Sequence, residues 1–589
     1  MESETANSKT KESHYVDTNM KIHDEEKNFE KTSDDDYDNE LISAAVNTND
    51  DPTLPCLTFR FWVLSTFFTT LGAVVSVFSY FRSNILAYSI FFVILVSYIV
   101  GKWMEKILPN KKFRIKNWEF SLNPGLSVFT AIYASAAAGA GSYFSPRIIF
   151  NTKVNFLIGF MLLISIQMIG YGLAGFARKY LVRPANMIWP QALVYTTIFN
   201  TLHGNTSQTN DKIRFFTIAF ISKFVWQFVP EYIFPWLAGA SVLCLIDPHN
   251  NVVNVLGSVY KGAGILGFSF DWNAIGEIFP LYTPWWSQVN FYIGIVLCIW
   301  IIGPFDAQKF PFLSTSSFDK NGNKYNQTRI IDPATGALDV AAYENYSPVY
   351  LSATMAADIH CKMMNVYPEV PYYWYGTIFF VMELFRPFQI GGFLLPGYPI
   401  ANVYFKVYES RALSQCLYFV QDLKLEYWAV RIIINIKRSY IDGTKADPTG
   451  QSDSMYNILL WGFLIGAFLP IPFYLLHRKF PKAKFNLVNI PVILYGLTRF
   501  PGTVPNFIIT GFITSFLSQF YAFRYKIMYN RYNYVMSAAF DSGTQIMTMV
   551  AFLCLSGIIR VPFPTWWGND PSTQSEHCFP INSSPSKKG

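Results

Sequence analysis

From Thr58 to Ile559 the chain alternates between long apolar runs and short loops rich in lysine and arginine. This pattern restricts the fold more than any single motif. A helix needs about 20 consecutive apolar residues to cross a bilayer. Thr58–Tyr80 and Val154–Phe176 meet that length, and Ile458–Leu476 comes close. Every backbone polar group in hydrocarbon must be satisfied within the protein, so such runs form helices. The expected fold class is therefore an all-α polytopic integral membrane protein, a multi-helix bundle with broken helices. About ten to twelve embedded segments are expected at this spacing.

Composition agrees. Only 14% of residues are charged and 51% are hydrophobic, against about a quarter charged in soluble domains. The net charge of +7 hides an asymmetry: residues 1–53 carry a net charge of −10, leaving +17 for the remainder. Residues 1–53 are polar and acid-rich, and cannot bury enough apolar surface to fold alone. They read as a disordered acidic cytoplasmic tail. Residues 54–565 form the transmembrane domain, with a polar loop at 304–372, and 566–589 a polar C-terminal tail. The basic excess lies in loops and marks the cytoplasmic side of a membrane; it does not point to nucleic acid. Basic loops at 102–116, 178–183, 477–484 and 524–531 place the N-terminus in the cytoplasm, and Met187–Phe199 is read as leading outward.

The segment Ser121–Tyr143 opens with the helix breaker Asn123-Pro124-Gly125 and continues into small residues, including Gly139 and Gly141. Two readings fit: a tight helix-packing face, or a discontinuous helix at a transport site. Phe215–Ile246 is apolar but broken by Pro230 and Pro235, and it carries Lys223 and Glu231. Ionisable groups at membrane depth are costly and functional by default, although the proline breaks also allow an interfacial position. His203 and Glu383 are the other titratable candidates for moving a proton, each with a structural alternative. The sequons at Asn205, Asn326 and Asn345 are candidate glycosylation sites, with Asn205 on the side read as external.

The seven cysteines are scattered without a CxxC pair, and most lie in apolar segments where cysteine acts as a small hydrophobe. Neither a metal cluster nor a cofactor is expected. No GxSxG, HExxH or P-loop is present, so an enzyme is not expected.

Several strings, in order along the chain, resemble the oligopeptide transporters of fungi and plants. They include Asn123-Pro124-Gly125, the stretch NFLIGFMLLISIQMIGYGLAGFARKYLVRPANMIWP at 155–190, FNTLH at 199–203 and FDWNAIGEI at 270–278. TPWW at 283–286, YSPVYLS at 346–352, LLPGYPIANVYFKVY at 394–408 and DLKL at 422–425 follow. LHRKFP at 476–481, NIPVI at 489–493, RYNYVMSAAFDSG at 531–543 and WWGN at 566–569 complete the series. The resemblance implies a helical transporter, usually of about sixteen spans, that imports short peptides of four or five residues, glutathione included, on the proton gradient. A related branch moves metal chelates.

The partners so implied are small peptides, the lipid bilayer and protons; the plasma membrane is the expected location. Sites for many peptides bind their common groups with amides, aromatics and exposed backbone. Asn123, Gly125, Gly139, Gly141, Trp189, Asn200 and Tyr398 are the candidates for that role.

The chain also departs from the family. Asn123-Pro124-Gly125 continues as Leu126-Ser127-Val128, without the family's ionisable Lys-Glu-His. Asp422-Leu423-Lys424-Leu425 is not followed by Lys-Ile-Pro-Pro-Arg. Helical segments are missing after Ser352, between Phe385 and Gly391, and after Leu425. A degenerate, non-transporting relative and a metal-chelate transporter are the competing readings.

Overall fold

The computed structural model describes residues 59–80, 90–121, 156–181, 190–203, 207–302, 313–357, 416, 465–497, 504–556 and 561–579, with short breaks within several of these ranges. The acidic segment 1–53, the breaker at 123–125 and the stretch 364–415 lie outside them.

The described chain is predominantly helical. In order it contains α1 (Phe59–Tyr80), α2 (Ile90–Ile107), α3 (Phe156–Leu181), α4 (Pro190–His203) and α5 (Ser207–Phe228). Short helices α6 (Val242–Ile246), α7 (Asn251–Gly257) and α8 (Trp272–Ile275) follow. Then come α9 (Trp285–Val296), α10 (Val340–Tyr346), α11 (Pro470–Lys479), α12 (Ile490–Leu497), α13 (Ile508–Ser515) and α14 (Lys526–Ala551). Among the described residues, strands form three two-stranded antiparallel pairs: β1 (Lys112–Ile115) with β2 (Trp118–Ser121), β3 (Ala240–Ser241) with β4 (Gly267–Phe268), and β5 (Ser317–Phe318) with β6 (Tyr350–Leu351).

Among the described residues, two stretches are long and apolar enough to cross a membrane by length and composition: Asn210–Ile233 and Arg531–Leu555. They are α5 and α14 with their C-terminal extensions. They pack side by side and run parallel. Arg531 pairs with Asp211 at 2.7 Å at one end, and Thr548 reaches Glu231 toward the other. Gly543 lets the two backbones meet, because a Cβ there would lie 2.9 Å from the Phe220 carbonyl oxygen. Small residues at such crossings are how helices in lipid gain contact. The outer face of α5 carries Ile218, Ile221 and Val225, all more than half exposed, as a lipid-facing stripe should be.

One core joins α1, α2, α4, α5 and α14 through Leu64, Phe68, Phe91, Leu193, Ile198, Phe216, Tyr534 and Val535. A second joins α9, α12 and α13 through Phe291, Ile295, Ile299, Leu494, Phe507 and Ile508. There α9 and α12 also run parallel. The Asn290 side chain donates to the Leu487 carbonyl and accepts from the Asn489 amide, while Gly294 abuts Ile493 and Gly496.

Within the apolar stretch 215–246, α5 continues as a widened turn over Val229–Ile233 and then breaks into a 3-10 turn at Pro235–Ala238, strand β3 and the short helix α6. Pro230 cannot donate its backbone nitrogen, and the Phe234 amide reaches back five residues to the Val229 carbonyl at 2.6 Å. Such wide turns recur at functional sites. Beyond it, Phe234 and Trp236 pack on Trp566 and Trp567. The segment from residue 566 is therefore docked on the bundle wherever it is described. A disulfide between Cys244 and Cys578 fixes it there, joining residues 334 apart in sequence. Glu576 completes the clasp: Ser258 Oγ donates to it at 2.6 Å and the Val259 amide at 2.7 Å.

Candidate functional site

Residues 269–284 do not form a regular span. They descend along α14 as an irregular chain with only α8 and one further turn in it. Asn273 reaches Thr548, Trp272 reaches Asp541, and the Leu281 carbonyl accepts from Asn533 and Ser518. The Gln519 side-chain amide donates to the same carbonyl. These contacts run almost the full length of α14. Non-helical backbone at membrane depth is tolerated only where protein buries it or a cavity adjoins it. Here the broken backbone is satisfied by side chains from several elements: Asn533 of α14 with Ser518 and Gln519 at the Leu281 carbonyl, and Thr510 of α13 at the Ser269 amide.

On the other side of this segment, α5 presents Lys223, Gln227 and Glu231. Their spacing of four residues puts all three on one face. Lys223 is 8% exposed and Gln227 fully buried. Lys223 lies at the middle of the span Asn210–Ile233, and Asp541 near the middle of Arg531–Leu555.

The side chains form a connected network. Gln227 Nε2 donates to Asp271 Oδ1 at 2.5 Å and to Glu231 Oε2 at 3.5 Å. Thr548 Oγ1 donates to Glu231 Oε2 at 2.9 Å and accepts from Asn273 Nδ2 at 3.1 Å. Trp272 Nε1 donates to Asp541 Oδ1 at 2.7 Å, and Ser537 Oγ reaches the other oxygen of that carboxylate at 3.4 Å. The Lys223 ammonium stands 5.7 Å from the centre of the Trp272 ring. The Asp271 side chain also caps α8 by accepting from the Asn273 amide. Gln227 Oε1 is buried and takes no hydrogen bond from any described residue.

Three carboxyl groups, one ammonium and a buried amide oxygen without a hydrogen bond from the described residues thus lie together between α5, α14 and the 269–284 segment. Such a set can exchange protons and can hold an amine or a carboxylate.

Of the expected site residues, the structure brings only Glu231 into this cluster. Asn200 is exposed on α4. His203 ends α4, but its side chain lies outside the described residues. Asn123, Gly125, Gly139, Gly141, Trp189, Asn205, Glu383 and Tyr398 lie outside them as well. Lys223 was flagged in the sequence by its charge in an apolar run. Asp271 and Asp541 were not singled out, although each sits in a string that carries the family resemblance, FDWNAIGEI and RYNYVMSAAFDSG.

Residues 56–363 and 432–555 match the model of the OPT oligopeptide transporter protein family. The chain belongs to that family. It is an integral membrane transporter by that membership. Both α5 and α14 fall within the matched residues, and so do Lys223, Glu231, Asp271 and Asp541. The family match omits 364–431, the stretch that holds LLPGYPIANVYFKVY and DLKL.

Among curated proteins, this OPT chain is similar to Oligopeptide transporter 3 of Arabidopsis thaliana, with 28% identity covering 93% of this chain and 96% of that protein. It is 29% identical to Oligopeptide transporter 5 of the same plant, covering 98% and 97%. It is also 29% identical to Glutathione transporter 1 of Schizosaccharomyces pombe, covering 91% and 81%. The alignment with Oligopeptide transporter 3 runs to 713 residues, whereas this OPT chain has 589. That relative therefore carries internal stretches without a counterpart here, as the gaps in the motif series suggest.

Proposed function

We propose that this OPT-family chain is a secondary active transporter that imports short oligopeptides, such as tetrapeptides, pentapeptides and glutathione, in symport with protons. The observation that carries the reading is the cluster of Lys223, Gln227, Glu231, Asp271 and Asp541 at membrane depth. Ionisable groups there are costly and persist where a transport path uses them. A peptide brings an ammonium, a carboxylate and backbone amides. The carboxyl groups suit the first, Lys223 the second, and the open Gln227 Oε1 an amide N–H. Glu231 is the proposed proton-coupling residue: one of its oxygens is held by Thr548 and Gln227. Names of the relatives support peptides and glutathione as the substrate class. We place the transporter in the plasma membrane with its N-terminus in the cytoplasm.

A specific observation favours a second reading. The chain lacks the Lys-Glu-His and Lys-Ile-Pro-Pro-Arg signatures and several internal segments of its relatives. It would then be a membrane protein of this family that does not transport.

Uptake of a labelled tetrapeptide and of glutathione, in a host without peptide uptake and with surface arrival confirmed, separates the two. Entry that rises as external pH falls supports proton-coupled import. Surface protein with no uptake at either pH overturns it.

A further inference from the structure

The disulfide fixes which way the bundle faces, and that orientation reassigns the glycosylation sites. Disulfides form and persist in oxidising compartments. The end of the bundle that holds Cys244, Cys578 and the Glu576 clasp therefore lies on the non-cytosolic face. The opposite end of α5 and α14 carries Lys212, Arg214, Arg524, Lys526 and Arg531, which by charge belongs in the cytoplasm. Two independent signals thus agree.

The second core repeats this polarity. Trp300, just beyond α9, donates its indole N–H to the Ala263 carbonyl at 3.0 Å, close to Ser258 and the clasp. The start of α12 follows the basic loop at 477–484 and packs beside the start of α9. Hence α9 runs from the cytosolic to the external side, and the chain after Ile302 emerges outside. Leu313 packs back on the same core. The strand pair β5–β6, with helix α10 between its strands in sequence, follows. Asn326 and Asn345 are both exposed there. The rings of the neighbouring Tyr325 and Tyr346 lie 4.9 Å apart, so the two asparagines flank one aromatic contact on one small external unit.

We infer that Asn326 and Asn345 are N-glycosylated and that Asn205, two positions before the first residue of α5, is not. This reverses the outward course expected for 187–199, and with it the cytoplasmic side expected for the basic loop 178–183. In the transfer, Asn Nδ2 forms a bond to the anomeric carbon of a polyprenyl-pyrophosphate-linked oligosaccharide. The bond from that carbon to the pyrophosphate breaks, the lipid pyrophosphate leaves with the electron pair, and the amide nitrogen gives up one proton. The donor and its transferase act only on the non-cytosolic face.

The test expresses the full chain in a eukaryotic host and follows its mobility with and without amidase removal of N-glycans. Two glycan steps are expected. Asn326→Gln and Asn345→Gln should each remove one step, the double variant both, and Asn205→Gln none. A step that depends on Asn205, or the absence of a step at Asn326 or Asn345, overturns the assignment. A protease added to sealed microsomes tests the orientation without any substitution near the sequons. A C-terminal epitope on the wild-type chain should be protected, and its digestion in intact vesicles overturns the orientation.

Discussion

Thr548 on α14 donates its hydroxyl to Glu231 on α5 across 2.9 Å, joining residues 317 apart in sequence. The bond crosses the interface between the two parallel spans, beyond the close approach of Gly543 to Phe220. It also sits where α5 widens at Pro230. Its hydrogen bond to Thr548 and its place in the widened turn single out this carboxyl group.

Replacing that group tests the coupling assignment. Glu231→Gln keeps the shape but cannot exchange a proton. Proton-driven peptide uptake should be lost, with surface level retained. Thr548→Val removes only the donor, worth about 1.5–3 kcal/mol for a bond to a charged group. Its expected effect is a shifted pH profile of uptake with transport preserved. An unchanged profile in both variants would remove Glu231 from the mechanism.

The contact between α9 and α12 depends on two facing glycines. A Cβ on Gly294 would fall 2.0 Å from the Ile493 carbonyl oxygen, and one on Gly496 would fall 2.2 Å from that of Phe291. Backbone cannot yield there cheaply. Gly294→Ala should lower stability by about 1–3 kcal/mol, the usual cost of overpacking. Gly172 on α3 has open space around it, so Gly172→Ala should hold or raise stability by up to about 1 kcal/mol. Thermal unfolding of the two purified variants in detergent provides the comparison.

The Cys244–Cys578 bridge closes a very long loop. Its loss through Cys244→Ala with Cys578→Ala should cost about 2–5 kcal/mol. Unfolding of the external clasp, followed by protease sensitivity after Trp566, should then occur at lower temperature. Addition of reductant to the wild-type protein should reproduce the change.

Glu576 gives the clasp a pH dependence of defined sign. Burial pushes its carboxyl above the ordinary glutamate range, against the pull of the Ser258 hydroxyl and the Val259 amide. A carboxyl held higher in the folded chain than in the unfolded one takes up a proton on folding. Its contribution is fully present below the unfolded value, about 4.3, and is lost as pH rises through the folded value. The clasp should therefore resist protease best at acid pH. Glu576→Gln should flatten that dependence, measured as protease sensitivity against pH.

The sequence disclosed these features unevenly. Lys223 and Glu231 stand out because charge in an apolar run is expensive. Pro230 announced a break but not its form, since a widened turn and a kink begin from the same residue. Asp271 looked like one polar residue among turns: nothing local says that an irregular segment will descend along a helix 270 residues later in the chain. Asp541 lies between alanines, phenylalanine, serine and glycine, and its partner Trp272 is far away in sequence. The cysteine pairing was hidden for the same reason, because spacing carries no information on which thiols meet.

Parallel pairing of α5 with α14 has a consequence for how the protein is made. Ribosomes add about 5–20 residues per second, so α5 enters the membrane on the order of 15–60 s before α14 exists. Throughout that interval Lys223 and Glu231 lack Asp541 and Thr548 as neighbours. Membrane insertion of α5 must then be sustained by its lipid-facing residues, Ile218, Ile221 and Val225, and by whatever shelters its polar face. A chain truncated before Lys526 should consequently be retained by quality control, however well its earlier helices insert.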